Sequence, residues 1–306
     1  MRDVSLTVVG SIAYDAVTTP FGARERMLGG SAVHFSLAAS FFTDVHVVGP
    51  VGNDFAEEDI KLLKDRGIDT SGIQRESGNT FFWRGRYEED LNVAHTEETR
   101  LGVFADFQPE LSETARNADT LFLGNIIPTL QQQVRAQVRA PRLAALDSMN
   151  HWIADERESL EKAIAEVDCL LLNDAEVRQL TGEWNLAVAA EKIIEMGPRA
   201  VVVKRGEYGS VLFGSGGRLA LPGILLGEVK DPTGAGDSFA GGFLGYLDSH
   251  QSDADNFSAI CRAMAYGTVI ASFNVEDFGT ERVSRLTRDE IEARLEELRG
   301  LITIDR

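Results

Sequence analysis

Short apolar runs alternate with amphipathic, helix-like stretches along most of the chain. The apolar runs lie at 4–10, 45–49, 120–125, 142–147, 169–173 and 200–204. Helical patterns lie between them, at 55–65, 128–139, 153–166 and 186–196. Apolar runs separated by helices predict a mainly parallel sheet that is covered by helices on both faces. We therefore expect an α/β fold in which the carboxyl ends of the strands line a ligand crevice.

Two stretches, residues 11–29 and about 73–100, interrupt this rhythm with alternating, strand-like segments. In the second stretch, one strand face is aromatic and the other is largely basic: Phe81, Trp83 and Tyr87 against Phe82, Arg84 and Arg86. We predict that the two insertions pair into a small sheet, which forms either a lid over a pocket or a dimer surface. The whole chain, residues 1–306 including the two insertions, is expected to form a single domain.

The formal net charge of the chain is −18. Nucleic acids and anionic membranes select for basic patches, so we expect neither as a partner. A small anion can still bind, because the dipole at a helix N-terminus attracts phosphate even on an acidic protein. The sequence has no apolar run of about 18 residues and no apolar block at its start, which predicts a cytoplasmic protein.

Residues 231–247, DPTGAGDSFAGGFLGYL, read as a helix that contains five glycines. Each glycine in a helix costs about 1 kcal/mol relative to alanine, so their presence needs a reason. Because a proline follows Asp231, the helix is expected to start near Thr233 or Gly234. Its first turn, at 234–236, has almost no side chains and exposes unpaired N–H groups, which lets a phosphate approach closely.

Asp237 is the exception in this turn, because a carboxylate repels phosphate unless it serves the other reactant. Beside a transferring phosphoryl group, it can accept the proton of an attacking hydroxyl as a general base. An isolated aspartate in a first helical turn is common for electrostatic reasons alone. The glycine frame around Asp237 favours the catalytic interpretation.

The same stretch resembles the C-terminal signature of the ribokinase/PfkB carbohydrate kinases. Further segments resemble parts of that family in the same order: GSIAYD (10–15), LGGSAVHFSLAAS (28–40), VGPVGNDF (48–55), LNDAE (172–176) and VVVKRGEYGS (201–210). The resemblance covers nearly the entire chain. It implies a ribokinase-like three-layer α/β/α sandwich with a mainly parallel central sheet and a small β-sheet lid. It also implies an ATP-dependent kinase that phosphorylates a hydroxymethyl group of a small sugar.

The resemblance implies roles for particular residues at the acceptor side of the site. Asp237 takes the position of the base, and the anion hole is formed by Gly234, Ala235 and Gly236. The sugar hydroxyls would be held by Asp15, Gly29 and Gly30. His34 stands where the family often has an asparagine that contacts the sugar, and this departure argues against ribose as the substrate.

The resemblance also implies roles on the donor side. Contacts to the nucleotide are implied for Asn173, Lys204, Gly206, Gly209 and Thr233, with Lys204 in place of the family's usual threonine. Asn173 and Glu176 would organise Mg²⁺ through water. A K⁺ site is implied for Asp231, Thr233, Asn274 and Gly279.

The identity of the acceptor stays open at this point. LDSMNHW (146–152) resembles a segment of the fructokinase and ketodeoxygluconate-kinase branches, whereas DPTG (231–234) occurs among nucleoside-phosphorylating members. A nucleoside kinase is therefore the main alternative, and a non-catalytic sugar-binding protein is a third. Arg84 and Arg86 either face an acidic or phosphorylated sugar or are solvated charges of the lid. The lid is also a candidate homodimer surface.

Overall fold

The computed structural model of the chain describes residues 6–303. The strands are β1 (Leu6–Val9), β2 (Ala13–Thr19), β3 (Gly22–Gly29), β4 (Val45–Val51), β5 (Asp69–Arg75), β6 (Phe81–Tyr87), β7 (Ala94–Arg100), β8 (Thr120–Leu123), β9 (Leu143–Asp147), β10 (Cys169–Asn173), β11 (Ala200–Lys204), β12 (Ser210–Gly214) and β13 (Gly217–Leu221). The α-helices are α1 (Ser31–Ala39), α2 (Glu57–Asp65), α3 (Glu113–Arg116), α4 (Pro128–Gln137), α5 (Asn150–Asp155), α6 (Arg157–Ile164), α7 (Asp174–Thr181), α8 (Leu186–Met196), α9 (Ala235–Ser249), α10 (Phe257–Asn274), α11 (Glu281–Ser284) and α12 (Arg288–Ile302). Short 3₁₀ helices span Gly102–Asp106 and Gly206–Tyr208.

The large sheet has the strand order β13-β12-β11-β10-β9-β8-β1-β4-β5. The seven strands from β11 to β5 in this order run parallel to one another. β12 and β13 add an antiparallel hairpin at the edge next to β11. Every predicted apolar run is a strand of this sheet, although residues 4 and 5 of the first run lie outside the described residues. The sequence analysis missed β5, β12 and β13, which lie at the edges of the sheet and are less completely buried than the central strands. Residues 73–75, which the sequence analysis placed in the second insertion, belong to β5.

Helices cover both faces of the large sheet, as expected for three layers. On one face, Val8 of β1 belongs to an apolar cluster that includes Phe243 of α9. On the opposite face, Val9 belongs to a cluster that includes Val134 of α4. Successive residues of one strand thus serve two cores, which explains why the strands read as continuous apolar runs. The predicted α/β/α sandwich is confirmed.

The helix predicted over 153–166 is wrong in one respect, because the structure has two helices there. α5 ends and α6 begins at Glu156, whose φ of −127° is not helical. Its N–H donates to Trp152 O, and its carbonyl accepts from Leu160 N, so it serves both helix ends. The apolar pattern cannot show this break, since Ile153 and Leu160 lie in the same cluster.

The small sheet has the order β3-β2-β6-β7 and joins the two insertions, as predicted. β2 pairs with β6 in parallel, which places Asp15 opposite Trp83. Trp83 and Tyr87 pack on one face against a small apolar cluster that contains Val17, Met27 and Phe278. That this sheet acts as a lid, or as a dimer surface, stays a prediction. Within residues 6–303, no helix combines the length and the apolar character that crossing a membrane requires.

The glycines in the body of α9 bring this helix close to its neighbour α1. A Cβ on Gly241 would lie 2.3 Å from the carbonyl oxygen of Phe35, and one on Gly245 would lie 3.0 Å from the Ala39 backbone. No side chain fits at the first of these distances. Glycine lowers the stability of the helix itself, but at these positions it allows α9 to pack closely against α1.

Candidate active site

The candidate site lies where the carboxyl ends of the large sheet meet the N-termini of α1 and α9. α9 begins at Ala235, and Gly234 is its N-cap with a left-handed φ of 75°. The predicted start near Thr233 or Gly234 is thus confirmed. A Cβ on Gly234 would lie 2.3 Å from the ring of His34, so both the backbone angle and the neighbouring ring require glycine here.

The first turn of α9 presents free N–H groups, but not every residue of the implied anion hole supplies one. Ala235 N–H donates to Pro232 O over 3.2 Å. In the described part of the chain, the N–H group of Gly236 has no carbonyl partner, and that of Asp237 interacts only with its own side chain. Among residues 6–303, the N–H groups without a protein partner at the positive end of the helix are therefore those of Gly234 and Gly236.

Asp237 lies in this first turn and is partly open to the crevice. Desolvation by its surroundings and the nearby carboxylate of Asp147 raise the pKa of Asp237 to about 7, against the lowering effect of Lys204. A carboxyl group with such a pKa can exchange protons near neutral pH.

Asp15, at the centre of β2, is buried and lies within electrostatic range of Asp237. Burial raises the pKa of Asp15 to about 7, and the carboxylates of Asp231 and Asp237 add to this effect. The Gly30 N–H donates to the Asp15 carboxylate and opposes the shift. A Cβ on Gly29 would lie only 2.0 Å from Asp15 Oδ2. The structure thus brings the predicted acceptor-binding residues together.

His34 contacts the start of α9 through a buried hydrogen-bond network. Asn274 donates from Nδ2 to Thr233 O over 2.7 Å, so its Oδ1 faces the other way and acts as an acceptor. That oxygen accepts from Ser238 Oγ over 2.9 Å and lies 3.0 Å from His34 Nδ1, which therefore carries the proton. Burial lowers the pKa of His34 to about 4. The sequence analysis did not identify Ser238.

The residues implied for K⁺ lie together, but they bind one another. Asp231 accepts from Thr233 N through Oδ1 and from Gly279 N through Oδ2, each over 2.9 Å. The Thr233 carbonyl accepts from Asn274. These contacts tie the start of α9 to the loop after α10. A cation at this place stays a prediction.

Asn173 and Glu176 form the capping box of α7. Asn173 Oδ1 accepts from Glu176 N and Glu176 Oε2 accepts from Asn173 N, each over 2.8 Å. Burial and the nearby Asp147 raise the pKa of Glu176 to about 7. Because one oxygen of each side chain is already used, the pair fits a contact with hydrated Mg²⁺ better than direct coordination. No group of three or more His, Cys, Asp or Glu side chains suited to a metal occurs between residues 6 and 303.

Lys204 ends β11 and forms an ion pair with Asp147, which ends β9. Lys204 Nζ lies 2.6 Å from Asp147 Oδ2. Burial alone lowers the pKa of Lys204, but Asp147 and Glu176 outweigh it and raise that pKa. The sequence analysis placed Asp147 only at a strand end, and its spacing of 57 residues from Lys204 gave no sign of the pair.

Gly206 and Gly209 lie in the turn that follows Lys204. A Cβ on Gly206 would lie 2.9 Å from Asn92 Oδ1, in the loop between β6 and β7. A Cβ on Gly209 would lie 2.1 Å from Leu221 O, so this glycine allows the hairpin of β12 and β13 to close. The contact of these two residues with a nucleotide stays a prediction.

Arg84 and Arg86 lie on the face of β6 opposite to Trp83, and acidic side chains surround them. Arg84 Nη1 lies 2.9 Å from Glu25, and Arg86 Nη1 lies 3.0 Å from Glu88. These arginines are ion-paired surface charges in this structure and do not face Asp15. The interpretation as solvated lid charges accounts for them.

Comparisons with known proteins agree with this geometry. A family model described as pfkB family carbohydrate kinase matches residues 1–286. The chain is 30% identical over 249 residues to a cytidine kinase of Thermococcus kodakarensis, covering 79% of this chain and 87% of that protein. It is 42% identical over 250 residues to a 5-dehydro-2-deoxygluconokinase of Photobacterium profundum, covering 72% and 73%. The crystal structure of the Methanocaldococcus jannaschii nucleoside kinase superposes with a TM-score of 0.77 at 23% identity, covering 96% of this chain and 98% of that chain.

Proposed function

The chain belongs to the pfkB family of carbohydrate kinases, which are phosphotransferases, and we propose that it transfers a phosphoryl group from ATP to a hydroxymethyl group of a small sugar. One observation carries this proposal: Asp15 lies close enough to Asp237 to interact with it electrostatically, and Asp237 lies in the first turn of a helix whose N-terminus has free N–H groups. Asp15 and the loop at Gly29–Gly30 bind the hydroxyls of the acceptor. Asp237 removes the proton from the hydroxyl that reacts.

The transfer follows from the positions of these groups. Asp237 accepts the hydroxymethyl proton, and the oxygen forms a bond to the γ-phosphorus of ATP. The bond from this phosphorus to the bridging oxygen breaks, and ADP leaves with the electron pair. The free N–H groups of Gly234 and Gly236 donate to the phosphoryl oxygens as charge shifts during transfer. A base with a pKa near 7 is half ionised at neutral pH, which suits general-base catalysis.

The donor side of the site is proposed to hold ATP with Mg²⁺. Asn173 and Glu176 would hold the hydrated ion, which when bound neutralises charge on the phosphates. The residues around Asp231 are proposed to respond to K⁺. A reaction that uses ATP is consistent with a cytoplasmic location.

The packing of the small sheet supports a free sugar as the acceptor. Trp83 and Tyr87 fill the inner face of this sheet against Met27 and Phe278. The hydroxyl of Tyr87 also accepts from Thr233 Oγ1 over 3.2 Å, and this hydrogen bond holds the small sheet close to the start of α9. We infer that a nucleobase attached to the sugar would need space on this face of the sheet. The packed side chains of Trp83 and Tyr87 take up that space.

A nucleoside is the second candidate acceptor. The similarity to a cytidine kinase over most of the chain favours it. Asp237 as the general base and the same anion hole serve either acceptor, because both present a hydroxymethyl group. The two candidates differ only in whether the space under β6 admits a nucleobase.

The test is ADP release from ATP with Mg²⁺ and K⁺ over a panel of acceptors: ribose, fructose, ketodeoxygluconate, adenosine, inosine and cytidine. We expect turnover on a free sugar, and Asp237→Asn serves as the matched inactive control. Turnover confined to nucleosides would replace the first candidate by the second. Absence of turnover on every acceptor would favour a non-catalytic sugar-binding role.

A further inference from the structure

Lys204 occupies a place that the proposed function leaves without a chemical role. Its side chain is 16% exposed and that of its partner Asp147 is 6% exposed. Burying an ion pair removes two charges from water, and apolar residues of similar size often give a more stable protein. The pair therefore needs an explanation beyond stability of the fold.

The ammonium group lies against the turn that supplies the free N–H donors. A Cβ on Gly236 would lie 3.0 Å from Lys204 Nζ, which is the nearest atom outside α9. The same lysine acts electrostatically on Asp237. Lys204 is thus adjacent both to the anion hole and to the proposed base.

Among the described residues, two of the three N–H donors of this ammonium have no protein partner. Within residues 6–303, Lys204 Nζ makes a single hydrogen bond, to Asp147 Oδ2 over 2.6 Å. A mostly buried cation with unused donors is costly unless a ligand supplies acceptors. Phosphoryl oxygens are anionic acceptors, and they are the groups that the neighbouring turn is built to receive.

The surrounding charges point in the same direction. Lys204 faces three carboxyl groups, those of Asp147, Glu176 and Asp237. An incoming phosphoryl group would be repelled by these carboxyl groups, and Lys204 is the cation placed to offset that repulsion. Asp147 fixes the ammonium at the end of β9, so that its free donors stay directed away from the ion pair.

We propose that Lys204 is a catalytic residue whose ammonium donates hydrogen bonds to the transferring phosphoryl group, and that Asp147 is the positioning residue that holds it there. This inference rests on the proposed function. It assigns a role to the one signature position at which the chain has lysine in place of the threonine that the family resemblance implies.

The test compares Lys204→Met with the wild type. We expect kcat to fall about 100-fold, the usual cost of removing one donor to a developing charge, while KM for the acceptor changes little. Binding of ADP with aluminium fluoride, which mimics the transferring phosphoryl group, should weaken strongly. Binding of ADP alone should not.

The double variant Asp147→Asn with Lys204→Met separates this role from simple charge neutralisation. If Lys204 only balances Asp147, removing both charges restores kcat, and the proposal is overturned. We expect the double variant to stay as slow as Lys204→Met. Thermal unfolding checks that each variant folds, and Lys204→Gln replaces Lys204→Met if the latter does not.

The outcomes also separate this inference from the proposed function. A wild-type chain that phosphorylates no acceptor overturns the proposed function. A wild-type chain that turns over while Lys204→Met retains its kcat overturns only the role of Lys204. The measurement with aluminium fluoride needs no acceptor, so it tests the contact between Lys204 and the phosphoryl mimic even before the acceptor is identified.

Discussion

Two aspartates on the same helix, Asp237 and Asp248 of α9, have opposite surroundings. Asp248 has a fully buried side chain, and it accepts from Thr43 over 2.5 Å, Thr120 over 2.7 Å and Arg142 over 3.0 Å. Asp237 is partly open to the crevice, and among residues 6–303 no other side chain hydrogen-bonds to it. One carboxylate is saturated by the fold, and the other is left available.

The difference separates a structural carboxylate from a reactive one. A buried carboxylate whose acceptor sites are filled ties together distant parts of the chain. A carboxylate that lacks partners keeps a raised pKa and can exchange a proton with a substrate. The first contributes mainly to stability, the second mainly to reactivity, and substitutions at the two positions should have opposite effects.

The largest expected effect is on turnover. Asp237→Asn should lower kcat about 1,000-fold, because the amide cannot accept the proton. Nucleotide affinity, measured by calorimetry, should change little, and the variant should be at least as stable as the wild type. Retained turnover would remove Asp237 as the base.

The matched substitution at the other end of α9 should affect stability instead. Asp248→Asn should lower the free energy of unfolding by about 3 kcal/mol, because it leaves the Arg142 charge without its partner. Denaturant unfolding measures this loss, and kcat of the folded variant should stay close to that of the wild type. A variant that is stable but slow would contradict the comparison.

The pH dependence sharpens the contrast further. Since the pKa of Asp237 is about 7, kcat/KM should fall about tenfold per pH unit below that value, as the base becomes protonated. The pKa of Asp237 in the folded chain lies above its ordinary value of 3.8, so the cost of this residue to stability grows as the pH rises from about 4 to about 7 and stays constant above pH 7. The stability gained in Asp237→Asn should therefore be largest at pH 8 and vanish near pH 4. A flat kcat/KM profile across pH 5–8 would contradict this assignment.

The smallest effect concerns a single partner of the structural aspartate. Thr43→Val removes one of the hydrogen bonds to Asp248 and should cost about 1 kcal/mol of stability. Thermal unfolding checks the loss, with no change expected in kcat. Equal stability would mean that the remaining contacts of Asp248 are sufficient.

The central parallel strands could be predicted because each of them is buried on both faces. The parallel strand β5 and the hairpin β12–β13 could not, since they lie at the edges of the sheet and are only partly buried. The break at Glu156 was equally hidden, because apolar spacing continues across it. Local hydrophobic pattern reports burial, and it does not report where the backbone leaves the helix.

The candidate site could be predicted where its residues are neighbours in the chain. The turn at 234–237 and the capping box of Asn173 and Glu176 are local motifs, and both lie at the site. The contacts between Lys204 and Asp147, and between His34 and Asn274, join residues that are far apart in sequence. Only the order of the strands and the packing of α1 against α10 and α9 brings them together.

The close contact between α1 and α9 has an evolutionary consequence. Gly30 is the N-cap of α1 and Gly234 is the N-cap of α9, and the two helices touch near Gly241. The spacing of the two caps therefore depends on this helix pair. Under the proposed function, Gly30 lies beside the acceptor and Gly234 beside the phosphoryl group, so substitutions in β6 and β7 would change which molecule is accepted while the helix pair keeps that spacing. Substrate range and chemical competence would then diverge through separate mutations.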